Sequence, residues 1–454
     1  MYSHLRSTQL FEVSTLYGTA TLAAALDSGQ FGPYEDEETP HRVLLVSNNA
    51  AIPETAVQLS EMDGFAALAD RFDAVVDWNR EIAPHHPSQW TPEEQDAPLW
   101  QRMFRASWGL GEGPLELVVE SVTAAPAKAL AAIFTDAALH VYADGLMSYG
   151  PTRDPLPSPL ARRIRRLLHL DLVPGLSPLL FTEHGVPAEL VPHDAFRKVL
   201  DEIAAPVDIR DSAGEAPTAV VLGQYLAALN ILTQQEEEDM LAGMVRGAAA
   251  AGHTSVLFKP HPTAPARQSL ALERAAAEAG ARLTVVRQPM LAEALYGRLA
   301  PRLVVGCFST AMITASRLYG LPVARSGTEL LLLRLRPFQN SNRVPVTIID
   351  ALVPELGAPA EVPDPDAART GELQALLHTV GFCMQPGRMR DLRPQAEEWL
   401  RAASGTETAR YIGRGRLTRL GLPGGVVRGP VARRLLPAAR RARSVARKVR
   451  NGVR

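Results

Sequence analysis

Two periods of apolar and polar residues alternate along this chain. Leu10-Phe-Glu-Val-Ser-Thr15 reads as a strand ending before Gly18, followed by an Ala-rich helix to about Leu26. Arg42-Val-Leu-Leu-Val-Ser-Asn-Asn49 is nearly continuous in its apolar character, as expected of a strand buried on both faces. A helix near Ala66, the strand Asp73–Trp78, the strand Leu115–Val119, a helix from Ala127 and the strand Ala138–Tyr142 continue the alternation. Repeated β-α-β units predict a parallel sheet with helices on both faces.

From about Gly150 to Thr218 the periodicity weakens. Prolines are dense there (Pro151, Pro155, Pro157, Pro159, Pro174, Pro178), which suggests an interdomain connection with one or two short helices. A second α/β series follows. Its strands are Ala219–Leu222, the stretch through Phe258, Leu283–Val286 and Leu303–Gly306. Helices are expected at Gln234–Ala251, Ala266–Ala279, around Ala292, and from Ser309 to Tyr319. After Asp350 the pattern is helical, with candidates at Ala368–Thr379 and Arg393–Ala403. The expected fold is α/β, with two doubly wound domains facing one cleft. The expected divisions are 1–150, the connection 151–217, a second domain 218–350, helices 351–408 and a tail 409–454.

A chain of 454 residues exceeds a single core, and 46% hydrophobic with 21% charged residues describes a soluble globular protein. Cys307 and Cys383 are the only cysteines, which excludes a disulfide framework or a Cys-based zinc site and suits a reducing compartment. Residues 1–10 carry no apolar leader core, and no run is long and apolar enough to span a bilayer, so a cytoplasmic location is expected. The net charge of -2 hides a polarised chain: from Arg410 to Arg454 there are about fourteen Lys/Arg and no Asp or Glu. Leu435, Leu436, Ala439, Ala442, Val445, Ala446 and Val449 recur there at three or four residues, a pattern for lying on an anionic bilayer, with a solvated tail as the alternative. No nucleic-acid partner is expected.

The chemistry gathers at strand ends, where parallel sheets hold ligands. In Ser255-Val-Leu-Phe-Lys-Pro-His-Pro-Thr263 a strand must stop at the prolines. Lys259 and His261, two apart, would project together as a phosphate cradle, with Pro262 closing the turn. The plain alternative is a strand finishing in a Pro-rich turn. Gly223 in Leu222-Gly-Gln-Tyr225 would let backbone approach a ligand, and Gln224 could bond a base or sugar. Ser309 and Thr310 in Gly306-Cys-Phe-Ser-Thr310 sit where a helix N-cap belongs, a geometry that binds anions as well as capping the helix. Cys307 is best read as a small buried residue. Asp144 in Tyr142-Ala-Asp-Gly145 would point from a strand end as a general base on a substrate hydroxyl, or serve only in a turn. Glu293, at a helix start, is a candidate for ribose hydroxyls or an exposed first-turn acid. Arg162, Arg163, Arg165 and Arg166 form a cluster that could track a polyanionic acceptor or simply face solvent.

Asp-Gly, then Lys-Pro-His-Pro, then Ser-Thr, in that order on two α/β domains, resembles the three motifs of bacterial sialyltransferases. Asp144-Gly-Leu-Met-Ser-Tyr-Gly150 and Leu222-Gly-Gln224 look most like the α-2,8-polysialyltransferase group, over most of residues 8 to 350. The resemblance implies a GT-B fold, a CMP-sialic acid donor, a glycan acceptor, inversion at the anomeric carbon, and neither metal nor cofactor. It matches Asp144 to the general base, His261 to the CMP phosphate, and Ser309 and Thr310 to the phosphate hydroxyls. With His261 protonated, CMP would be helped to leave. The departure is Ala143, where many members carry a second acid. Rival readings are transfer of Kdo or another sugar, epimerisation of a UDP-sugar, and a catalytically silent membrane-bound partner in surface-polymer assembly.

Overall fold

β1 (Thr8–Val13) is buried at every position and lies at the centre of a parallel sheet. In the computed structural model, residues 6–32, 39–143, 145–206, 218–261, 268–359, 367–403 and 405–426 are described. Around β1 stand β2 (His41–Val46), β3 (Ala74–Asp77), β4 (Leu115–Val119), β5 (Ala138–Ala143), β6 (Ile164–Leu170) and β7 (Ala188–Val191). Among the described residues the sheet has seven strands in the order β3-β2-β1-β4-β5-β6-β7, every pair parallel. One face carries Leu10, Val43, Leu45, Leu117, Val119 and Val141 against Trp78, Phe104, Trp108 and Phe134.

β8 (Ala219–Leu222), β9 (Ser255–Lys259), β10 (Arg282–Val285), β11 (Leu303–Gly306) and β12 (Val323–Arg325) make the second sheet, also parallel, ordered β10-β9-β8-β11-β12. Both sheets share one winding. The chain first moves outward to one side of its opening strand, then returns and continues on the other. This leaves a switch point between β1 and β4 in the first sheet and between β8 and β11 in the second. The two doubly wound, Rossmann-like sheets are the GT-B type expected from the sequence.

The stretch 151–217 departs from expectation. It supplies β6 and β7, so the first sheet runs on to Val191 and is followed by the helix His193–Ala204. Arg166, one of the arginines that disguised β6, belongs to a polar row crossing one face of the sheet. Arg42 donates to Gln9 (3.4 Å), Gln9 donates to Glu116 (2.8 Å), and His140 lies 3.7 Å from Glu116. Arg166 donates to His140 Nδ1 (2.9 Å), pairs with Glu189 (2.9 Å) and lies 4.7 Å above the Phe31 ring. Side chains that read as surface charge are each other's partners inside the layer.

Both sheets fall within one compact unit, residues 1–377. The helix His193–Ala204 packs on both the helix Leu16–Asp27 and the helix Ala292–Leu299. Arg197 lies 4.0 Å over the Tyr319 ring, and Arg298 donates to the Ala204 carbonyl at 3.1 Å. A second unit, residues 378–454, begins inside the helix Ala367–Met384 and includes Arg393–Ala402 and Arg414–Leu420. There Arg416 donates to the Cys383 carbonyl at 2.8 Å. The apolar tail positions from Leu435 to Val449 lie outside the described residues. Among those described, no helix is long and apolar enough to cross a membrane.

Candidate active site

β9 ends as its sequence requires. Val256, Leu257 and Phe258 are buried between β8 and β10, and Pro260 halts the ladder after Lys259. Lys259 is only 8% exposed. Burial pushes its pKa down to about 8, partly opposed by the Glu293 carboxylate. His261 is pushed down to about 4 by burial and, secondly, by the Lys259 charge. At that value the His261 imidazole is neutral at pH 7.

The loop after β8 lies directly against this stretch. Gly223 donates its N–H to the Lys259 carbonyl at 2.8 Å. A Cβ on Gly223 would come within 2.9 Å of the Phe258 ring and 3.1 Å of Pro260 Cα. The glycine therefore admits a neighbouring backbone, a tighter demand than the ligand approach expected for it. The Gln224 side-chain oxygen is buried and finds no hydrogen-bond donor among the described residues. Tyr225 places its ring 4.0 Å from the His261 ring, tilted by 39°.

β11 runs into the helix Thr310–Tyr319. Ser309 is the N-cap, its Oγ accepting from the Ala311 N–H at 3.3 Å. Cys307 is buried, as expected, and burial raises its thiol pKa. Glu293 is not an exposed first-turn acid: it is 3% exposed and accepts from Thr314 Oγ1 at 2.6 Å. Burial raises its pKa, while the Thr314 bond and the Lys259 charge oppose that rise. It braces the helix Ala292–Leu299 against Thr310–Tyr319 behind the lysine.

From the first sheet, β5 delivers Ala143 and then the Asp-Gly turn. Asp144 and Pro262 lie outside the described residues. Gly145 is described, and a Cβ built on it would stand 3.2 Å from Thr310 Oγ1. Gly145, just beyond β5, thus lies close to Thr310 at the helix start of the other sheet, although the two are far apart in sequence. Gly150 meets Val344 just beyond, at 3.2 Å from its own Cβ position.

The arginine cluster is not at this junction. β6 runs parallel to β5 with Ala143 opposite His169, so Arg163 lies six residues back, about 20 Å toward the amino edge of the sheet. Arg163 donates to the carbonyls of Ala131 (2.7 Å), Ala137 (3.0 Å) and Phe134, and Arg166 sits in the polar row. Arg162 and Arg165 are exposed.

One feature of the site escaped the sequence reading. At the β1/β4 switch point the Glu120 N–H donates to Glu12 Oε2 (3.2 Å), and Ser14 Oγ donates to Glu120 Oε2 (2.8 Å). Glu12 is 1% exposed, and burial, then the neighbouring Glu120, raise its pKa well above the carboxylate range. An acid in an otherwise apolar strand, Thr8-Gln-Leu-Phe-Glu-Val13, was the available signal.

Comparison with known proteins follows this geometry. Three solved structures cover most of the chain: a protein assigned as a UDP-N-acetylglucosamine 2-epimerase from Listeria monocytogenes, MurG from Acinetobacter baumannii, and a glycosyltransferase from Rickettsia africae. The first is 11% identical, covers 84% of this chain and 97% of its own, and has a TM-score of 0.44. MurG is 11% identical over 87% and 95%, with a TM-score of 0.39. The third is 10% identical over 88% and 100%, with a TM-score of 0.38. No curated protein matches. The family model for alpha-2,8-polysialyltransferases matches residues 9–328, from β1 through β12 and across both strand-end junctions. The chain belongs to the alpha-2,8-polysialyltransferase family and is a glycosyltransferase.

Proposed function

We propose that this glycosyltransferase moves sialic acid, or a related nonulosonic acid, from its CMP donor to a glycan acceptor, with inversion and without a metal. The carrying observation is the contact of Gly145 with Thr310, which brings the Asp-Gly turn against the helix that follows β11. In this reading the donor phosphate docks on Lys259, His261 and the helix start at Ser309 and Thr310, with Gln224 beside the nucleoside. A phosphate charge there would favour the protonated forms of both Lys259 and His261. Asp144 accepts the proton of the acceptor hydroxyl. The hydroxyl oxygen bonds to the anomeric carbon as the bond from that carbon to the phosphate oxygen breaks, and CMP leaves with its charge met by Lys259 and His261. A monophosphate leaving group needs no more positive potential than two side chains and a helix N-terminus supply.

The test is a thermal-shift comparison of CMP, UDP, GDP and ADP with EDTA present. At a hundredfold excess over its dissociation constant a ligand stabilises by about 2.7 kcal/mol. CMP should do so and the others much less. Strict need for Mg²⁺, or stronger stabilisation by UDP, rejects the CMP donor in favour of a UDP-sugar reaction. CMP binding without transfer to any glycan favours a silent partner in polymer assembly. The basic tail supports a peripheral position at an anionic membrane face. A chain ending at Thr408 that kept salt-sensitive binding to acidic vesicles would move that contact elsewhere.

A further inference from the structure

The loop after β8 is held more firmly than its sequence suggests. Glu237, on the helix Gln234–Ala250, is 1% exposed. Its two carboxylate oxygens accept from the backbone N–H groups of Leu226 and Ala227, each at 2.9 Å. A buried carboxylate gripping two consecutive amides fixes the direction of the residue before them, Tyr225. On the other side, Gly223 is bonded to the Lys259 carbonyl and packed on Pro260. The tyrosine is therefore pinned at both ends of its loop, and its ring lies 4.0 Å from that of His261.

We infer that Tyr225, anchored by the buried Glu237 carboxylate, is a positioning residue that fixes the orientation of the His261 imidazole toward the leaving phosphate. The inference rests on the reading of His261 as the phosphate-side residue. An imidazole has two side-chain torsions to settle, and an offset ring packed on its face removes most of that freedom. The same ring takes water from one side of the imidazole. Among the described residues the charged and titratable groups near it include Lys259 on β9, Tyr225 itself, and Glu293 beyond the lysine on Ala292–Leu299. Glu237 faces the loop amides. The ring of Tyr225 does the positioning, so phenylalanine serves in its place.

The experiment follows the His261 ring by NMR through a pH titration of the full chain, its signal identified by its absence in His261→Ala, alongside CMP affinity. In Tyr225→Ala the midpoint of His261 should rise from its depressed position toward the ordinary value of about 6.5. CMP affinity should fall several-fold. Tyr225→Phe should match wild type in both. Glu237→Gln, which keeps one acceptor oxygen, should shift the same two readouts less. If Tyr225→Ala does not fold, Tyr225→Leu keeps apolar bulk without the flat ring and should behave as alanine does. A wild-type His261 titration and CMP affinity in a folded Tyr225→Ala or Tyr225→Leu overturns the inference, as does a Tyr225→Phe as damaged as the alanine variant. Failure of the underlying reading looks different: the titration moves as expected, but His261→Ala binds CMP and transfers normally.

Discussion

The two switch points are built alike but carry side chains of opposite type, acids at one and bases at the other. Between β1 and β4 lie Glu12, Glu120 and Ser14, with the Asp-Gly turn on the next strand. Between β8 and β11 lie Gly223, Gln224 and the helix start at Ser309, with Lys259 and His261 on the next strand. One edge carries acids and the other bases. Burial acts on both in the same sense, favouring the uncharged form: Glu12 is held protonated and His261 neutral at pH 7. The transfer proposed above would use this asymmetry, the acceptor hydroxyl losing a proton on one side while a phosphate gathers charge on the other.

The largest effect should come from separating the edges. Asp144→Asn removes the base and leaves the second sheet intact, so CMP binding should persist. Transfer should fall by roughly 10²–10⁴-fold, the worth of general-base catalysis. His261→Ala should lose both transfer and CMP affinity. Wild-type transfer in Asp144→Asn, or undiminished CMP binding in His261→Ala, would erase the division of labour between the sheets.

The pH dependence of CMP binding sharpens the second edge. Burial places the Lys259 pKa at about 8, and a bound phosphate favours its charged form. Affinity should therefore decline above pH 8, at about tenfold per unit while the bound form keeps its proton. His261, lowered to about 4 by burial, adds a gain in affinity as pH falls toward that value. In Lys259→Met the decline above pH 8 should vanish and affinity should be low throughout. A flat profile by calorimetry from pH 6 to 9.5 in the wild type would show that neither group meets the phosphate.

Much of this contrast was legible in the sequence, and the physical reason is strand burial. Central parallel strands are covered on both faces, so Ala219-Val-Val-Leu222 and Leu303-Val-Val-Gly306 announce themselves, and the residues after them fall at the ligand edge. β6 did not, because Arg166 finds partners on strands 26 and 23 residues away in sequence, His140 and Glu189. The pairing of Glu120 with Glu12 spans 108 residues and depends on β1 and β4 being neighbours. Tyr225 stood in a quoted motif, but its contact with His261 exists only because β8 and β9 are adjacent. Local pattern reveals elements and their ends. Pairings across the sheet require the strand order.

The first edge can be tested through stability. Glu12 has a folded pKa raised to about 8, against the ordinary carboxylate value in the unfolded chain. Below the carboxylate range both states hold the proton, and the contribution is fully present. As pH rises from there, the unfolded state releases its proton first, so stability should fall until pH reaches about 8. In Glu12→Gln this part of the decline should disappear, while an oxygen remains to accept from the Glu120 N–H. Urea unfolding of both proteins at pH 5 and pH 8 makes the comparison. An equal drop in each would mean that Glu12 is ionised in the folded protein and that the first edge is more highly charged than argued.

The smallest effect on transfer is expected from Arg162 and Arg165. They are exposed at the amino end of β6, about 13 Å (Arg165) and about 23 Å (Arg162) back from the carboxyl edge where β5 ends at Ala143. Salt at 0.15 M screens over about 8 Å, so their charges reach an acceptor at that edge only weakly. Arg162→Gln with Arg165→Gln should change KM for even a polyanionic acceptor by less than about twofold, as screened surface charges do. Arg166→Gln is the contrasting control. It removes the guanidinium that bridges Glu189 and His140 in a partly buried row, and should lower stability by about 1–3 kcal/mol while sparing KM in the folded fraction. A tenfold rise in acceptor KM from the exposed pair would mean that a long acceptor runs over the amino edge as well, and that the glycan track extends far beyond the junction of the two sheets.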